Sequence, residues 1–209
     1  MKTYNLSPDK TNYYRQNNNA LDPGVTCKPT ATVEGLALAG WALPKGEYPQ
    51  AEDNLTALCR AGEAHNVMLA VDKNLQGSRP NEIWQVIAWA INEKWYPIDR
   101  PLIGPRWNWS IREVLYAITR GVPFVASTAL TRAGHIVNVV GFETEQETPI
   151  QNSMGLDMAK ITHVIIDDPY GDRTNGVYDV GKSGWNNRYT MQDFMSFWRG
   201  VGVQIRPRG

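Results

Sequence analysis

The chain has 209 residues and a mass of 23.5 kDa, with 42% hydrophobic and 20% charged residues, the balance of an ordinary globular protein. Lys plus Arg and Asp plus Glu each number 21, so the formal net charge is zero. That balance offers no attraction to a polyanion and argues against nucleic acid or an anionic membrane as partner.

The opening stretch, "MKTYNLSPDKTNYYRQNNNA", is polar and lacks the apolar core of a secretory signal. Synthesis in a cytoplasm is the expectation. No run of about 18 apolar residues occurs, so no membrane insertion is expected. The length suits one domain over residues 1–209, with a helical part to about residue 120 and a sheet part beyond it.

Residues 1–26 predict a coil that ends in the turn signal "LDPG". Residues 28–41 predict a helix with Pro29 near its start, where a missing N–H is harmless. Glu34 is the one charge between Pro29 and Trp41, so this helix should be buried on most sides. Residues 50–70 predict a second helix that carries Cys59 and His65, His65 as a boundary residue. "QGSRPN" predicts a loop, with Asn81 as a cap for "EIWQVIAWAINEKW". The Pro-rich "YPIDRPLIGPRWNW" predicts a connector. Ser110 should cap "IREVLYAITRG", with Gly121 as the stop.

The pattern changes near residue 122. "VPFVAST", "HIVNVVGFE" and "THVIIDD" are β-branched runs bounded by turn residues, and they predict strands. "DPYGDRTNGVYDVGKSGWNNRYT" predicts loops with a short strand, "MQDFMSFWRG" a short helix and "GVQIRP" a last strand. Helices first and strands second predict the α+β class, an antiparallel sheet packed on helices.

The residues able to do covalent chemistry are few: Cys27, Cys59, His65, His135 and His163. A nucleophilic thiol needs a lowered pKa, an imidazole base and a group that orients the base. Cys27 lies where a helix starts, and helix dipoles favour a thiolate there. Cys59 lies inside a helix and suits a small core residue. A disulfide between the two is the alternative to free thiols. His135 follows Ala133-Gly134 and opens an apolar strand, where a side chain at the sheet rim can reach a cleft. His163 is the weaker base, at the far end of the strand that carries Asp167 and Asp168. Either carboxylate can accept the His135 N–H and fix its tautomer. Taken singly, each residue has a plain structural explanation as well. No Cys/His pair has the usual zinc spacing, and the oxygen-rich loop near residue 172 lacks the EF-hand order. No metal or cofactor is expected.

Taken together, Gln16, Cys27-Lys28-Pro29-Thr30, "AGHIVNVVGF", "VIIDDPYGD" and "YTMQDFMSFW" occur in one order from about residue 12 to residue 199. This order resembles the papain-like cysteine peptidases, in the branch of the bacteriocin-processing (double-glycine leader) peptidases and their stand-alone phage and bacterial relatives. The resemblance implies Cys27 as nucleophile at the head of the central helix and His135 as general base and acid. It implies Asp168, directly before Pro169, as the carboxylate that orients His135, with Asp167 as the other choice. It implies Gln16 as the side-chain donor to the oxyanion, beside the Cys27 N–H. The gap from Gln16 to Cys27 is longer than the family's usual spacing, so Asn17, Asn18 or Asn19 is an alternative donor. Lys28 stands where many relatives have glycine, and adds positive charge beside the thiol.

The resemblance implies a peptide substrate. Stand-alone relatives include peptidoglycan hydrolases, and "NYYRQNNN" resembles the starts of phage proteins of this type. The expected function is a Cys-His-Asp hydrolase of the peptidoglycan stem or cross-bridge peptide, an endopeptidase or amidase. It would act on the cell wall after release or as part of a virion. Trp107, Trp109, Tyr170, Trp185 and Tyr189 are candidates to line a groove, and equally to pack the core. The alternatives are an inactive phage structural or binding module of this fold, and an intracellular protease or amide transferase.

Overall fold

The computed structural model describes residues 1–61, 79–173 and 176–209. Among them seven strands form one sheet: β1 (Lys2–Asn5), β2 (Ile103–Trp107), β3 (Phe124–Thr128), β4 (His135–Thr144), β5 (Ile161–Asp168), β6 (Gly184–Thr190) and β7 (Trp198–Ile205). The order is β2-β7-β3-β4-β5-β6, and every pairing is antiparallel. β3 pairs with the first half of β4, and β1 pairs with the second half, from Lys2 opposite Thr144 to Asn5 opposite Gly141.

Among the described residues five α-helices accompany the sheet: α1 (Cys27–Leu38), α2 (Ala51–Arg60), α3 (Trp84–Trp89), α4 (Ile111–Thr119) and α5 (Met191–Phe197). They occupy both faces. Val125, Ile136, Val203 and Ile205 pack with α1, α2 and α3. Their strand neighbours Phe124, Ala126, Val137 and Val139 pack with α4 and α5. Alternate strand residues point to opposite faces, so a strand covered on both sides buries the residues of both faces. β4 is such a strand, and all ten of its residues are buried.

The expected α+β class is what the chain adopts, with two corrections. β1 and β2 lie in the stretches expected to be coil and connector, so the sheet draws on both halves of the chain. Helices cover both faces of the sheet. β2 was masked by its composition, "IGPRW", because proline is rare in strands. It is an edge strand, where a residue without an N–H is tolerated. Ser110 caps α4 as expected, and completes a capping box with Glu113. Asn81 does not cap α3. Ile83 holds that position, and the Asn81 amide instead bridges the Arg60 Nε and the Val25 carbonyl. α3 runs on into a wider π turn, Ala90–Trp95, where the Asn92 side chain bonds the backbone of Leu102 and Ile103. The expected continuation of α2 to residue 70, His65 and the first half of "QGSRPN" lie outside the described residues. No helix among the described residues is long and apolar enough to cross a membrane.

Candidate active site

Cys27 is the first residue of α1, with Thr26 at the cap position. Thr26 offers no side-chain cap bond. The first-turn N–H groups therefore keep donor capacity, with the positive end of the helix dipole beside the sulfur. The helix itself is clamped. Residues Pro29 to Leu36 are all buried, and Gly35 lets α1 approach Val125, Asn138 and Ile205 of the sheet. The amide of Asn19 bridges the Thr26 and Thr30 hydroxyls at 2.8 and 3.0 Å, tying the polar N-terminal segment to the head of the helix.

His135 opens β4, opposite Thr128 of β3. Its Nε2 lies 2.7 Å from Asp168 Oδ1 at the end of β5. That leaves Nδ1 on the side of the thiol, and the His135 ring and the Ile136 backbone both act on the Cys27 sulfur. The three residues come from positions 27, 135 and 168 and meet at one site. Asp168 is itself held by three donors: His135, the Tyr170 N–H at 2.8 Å and the Tyr178 hydroxyl at 2.9 Å. Tyr13 donates its hydroxyl to the Asp168 carbonyl at 2.7 Å. The His135 ring meets Tyr170 and Tyr178 edge-on, at 6.1 and 5.7 Å between centroids, and the two tyrosines meet each other at 5.1 Å.

The electrostatics favour an ion pair. Burial pushes the Cys27 thiol up, but the hydrogen bond and charge of His135, the Ile136 backbone and Lys28 outweigh it, and the thiol lies below its ordinary value. Burial opposes charge on His135 as well, yet the Asp168 carboxylate and the Cys27 sulfur raise the imidazole above its ordinary value. Cys59 is the contrast: burial pushes that thiol up to about 12. Both cysteines are free, so the alternative disulfide is absent.

Asp167 faces the other way. It accepts the Asn186 N–H at 2.6 Å, and its other oxygen faces the Glu34 carboxyl of α1. Two fully buried carboxyls can stay together there only around a proton. Burial, and then the Asp167 charge, hold Glu34 well above the usual carboxylate range. Asp168 and not Asp167 therefore contacts His135.

Gln16 is placed near the site but not in its wall. Its N–H donates to the Pro169 carbonyl, one residue past Asp168. Its side-chain amide donates to the Pro23 carbonyl at 2.7 Å, which occupies one of its two N–H groups. Asn17 donates to the Tyr170 carbonyl, and Asn18 lies in a separate groove. His163 pairs with Glu143 at 3.2 Å, on the far part of β5. Of the aromatic candidates only Tyr170 touches the site. Trp109 packs on Phe124, Trp185 bonds Ser7, and Tyr189 packs on Phe197. Trp107 is exposed.

Cys27 and His135 open into a cleft of about 300 Å³, also lined by Val25, Lys28, Glu82, Gly134 and Arg199. A larger groove of about 820 Å³ lies between the N-terminal segment and residues 43–54, and it holds neither thiol nor imidazole. Among the described residues no His, Cys, Asp and Glu group is placed to hold a metal. Tyr13 and Tyr178 escaped the sequence. Tyr13 lies 155 residues from Asp168, and Tyr178 lies in a Gly/Asn-rich loop whose course no periodicity fixes.

A thiol at the head of a buried central helix, facing an imidazole at the rim of an antiparallel sheet, is the architecture of the papain-like cysteine peptidases. Residues 9–204 match the Peptidase_C39 like family, and the chain belongs to it. The likeness to the bacteriocin-processing branch is in keeping with that match. No curated protein and no solved structure matches the chain.

Proposed function

We propose that the protein is a cysteine hydrolase of peptide bonds that uses Cys27, His135 and Asp168 as a triad. The observation that carries this is the meeting of the three groups at one cleft: Asp168 holds the His135 imidazole at 2.7 Å and the imidazole acts on the Cys27 sulfur at the head of α1, with the thiol lowered and the imidazole raised. The Cys27 thiolate attacks the amide carbonyl carbon, and the carbonyl π electrons move to oxygen. The Cys27 N–H stabilises that oxyanion, because no helix carbonyl accepts a first-turn amide. The Gln16 side-chain amide, swung away from the Pro23 carbonyl by the loop of residues 17–26, supplies the second donor of the hole. As the tetrahedral adduct collapses, the His135 imidazolium protonates the leaving amine and the C–N bond breaks. Water then attacks the thioester. His135 takes its proton and returns it to the sulfur as the acid product leaves. Asp168 holds the ring in the tautomer that does both.

The substrate we propose is the stem or cross-bridge peptide of peptidoglycan, cleaved by a phage-type endopeptidase or amidase that acts at the cell wall after release or within a virion. The supporting features are the resemblance to stand-alone relatives and the phage-like start of the chain. The test is clearing of purified cell walls in a gel overlay, followed by mass analysis of the fragments. Clearing by the parent and by Cys59→Ala, with none by Cys27→Ala, is the expected result. Clearing that persists in Cys27→Ala removes the mechanism. Absence of clearing by the parent, with rapid alkylation of Cys27, removes the substrate and leaves the chemistry.

A further inference from the structure

Arg199 is the second residue of β7. Thr128 of β3 is flanked by His135 on one side and Trp198 on the other, so the sheet brings Arg199 to the same rim as the imidazole. Its guanidinium lines the cleft that holds Cys27 and His135. It lies directly over Gly134, where an added Cβ would come within 2.9 Å of Nη1. Gly134 has φ +88°, so a side chain there is excluded by conformation as well as by space. The guanidinium thus rests against the residue that immediately precedes the base.

The other charges of the cleft are accounted for within it. The sulfur and the imidazole compensate each other. Lys28 places its Nζ on the Glu82 carbonyl and over the Trp84 ring at 4.5 Å, and the Glu82 charge acts on it. Arg199 has no hydrogen bond and no ion pair among the described residues, and its side chain is exposed. It is a planar cation with its donors unused, at the mouth of a cleft where substrate must enter. A guanidinium fork is matched to a carboxylate in shape and charge.

We propose that Arg199 is a carboxylate-binding site at the edge of the Cys27 cleft. The peptide taken there carries either an acidic side chain or a free C-terminal carboxylate next to the bond that is cut. The peptide half of this rests on the peptidase reading; the carboxylate half does not. Arg199 acts as a specificity residue and leaves the chemistry of the thiol unchanged.

Alkylation of Cys27 tests this without any substrate. Iodoacetate carries a carboxylate and iodoacetamide is its neutral analogue, and the modified peptide is followed by mass spectrometry. At neutral pH and low salt, the ratio of the iodoacetate to the iodoacetamide rate falls about fivefold in Arg199→Gln, the scale of one exposed charge pair. It stays near parent in Arg199→Lys and shrinks with added salt. The iodoacetamide rate itself stays at the parent value, which shows that the fold and the thiol are intact. An unchanged ratio in Arg199→Gln overturns the proposal. Protection against iodoacetamide then identifies the source of the carboxylate. Acetyl-Ala-Ala with a free C-terminus protects if a terminal carboxylate is bound, and acetyl-Asp-Ala-amide protects if an acidic side chain is. Protection by neither, beyond that of acetyl-Ala-Ala-amide, overturns the peptide assignment. Cell-wall clearing enters neither arm, so loss of the peptidase reading would leave the rate ratio standing.

Discussion

An ordinary thiol is protonated at neutral pH; Cys27 is held below that range by its neighbours, His135 first among them. Because its pKa is lowered, the thiolate persists as pH falls, until the thiol's own midpoint is crossed. Below neutral pH the parent should therefore react with iodoacetamide faster than an unperturbed thiol does. In His135→Ala the hydrogen bond and the charge are lost together. Alkylation in that range should slow at least tenfold, while the two rates converge near pH 10. Peptide hydrolysis by His135→Ala should fall by about 10²–10⁴, the usual worth of a general base. The two adjacent aspartates separate in the same assay. Asp168→Asn removes the counter-ion that raises the imidazole, so the pH profile of Cys27 labelling moves to higher pH. Asp167→Asn should leave that profile in place, because Asp167 bonds Asn186, faces Glu34 and does not touch the ring. Equal shifts in the two variants would return the orienting role to either residue.

At the scale of elements, β4 is the component on which the others converge. It carries His135, and it pairs with β3, β5 and β1. β1 comes close enough that Gly141 has no room for a side chain: a Cβ there would overlap the Tyr4 carbonyl and press on the Asn5 backbone. Gly141→Ala should therefore expel β1 and break the Tyr4–Phe142 stack, now at 4.8 Å. The expected cost is about 1–3 kcal/mol in melting experiments, with proteolysis appearing first in residues 2–6. Much of this architecture was legible in the chain. β4 and β5 show as β-branched runs because both sheet faces are covered, and α1 shows as an apolar stretch because it is gripped on most sides. Ser110 showed because a capping box is local chemistry. The parts that stayed hidden depend on distant partners. β1 has four residues, too few for a period, and takes its register from a strand some 140 positions away. The Cys27–His135–Asp168 group was legible through a family order of motifs, while the Gln16 bond to Pro23 and the Tyr178 bond to Asp168 are contacts between loops.

For the molecule as a whole, the Glu34–Asp167 pair sets a pH limit. Both carboxyls have raised pKa values in the folded state. A raised pKa contributes stability that is complete below the ordinary glutamate value of 4.5 and is lost as pH rises through the folded value. The loss is up to about 1.4 kcal/mol for each pH unit over which the extra proton is retained. Glu34→Gln keeps a donor to Asp167 without needing that proton. Its melting temperature should fall less than the parent's between about pH 5 and pH 8, and parallel curves would show that the pair is not proton-linked to folding. The sheet order has a further consequence, for time and not for energy. β7, the last of the seven described strands in sequence order, lies inside the sheet between β2 and β3, and its Ile205 packs under α1. The sheet under the helix that bears the thiol is therefore completed only when residue 205 has emerged. Pairings this distant in sequence place folding in the slow, millisecond-to-second regime. Until residue 205 has emerged and joined the sheet, a nascent chain carries Cys27 as an ordinary, protonated thiol. Its reactivity is switched on by the arrival of β7 under α1.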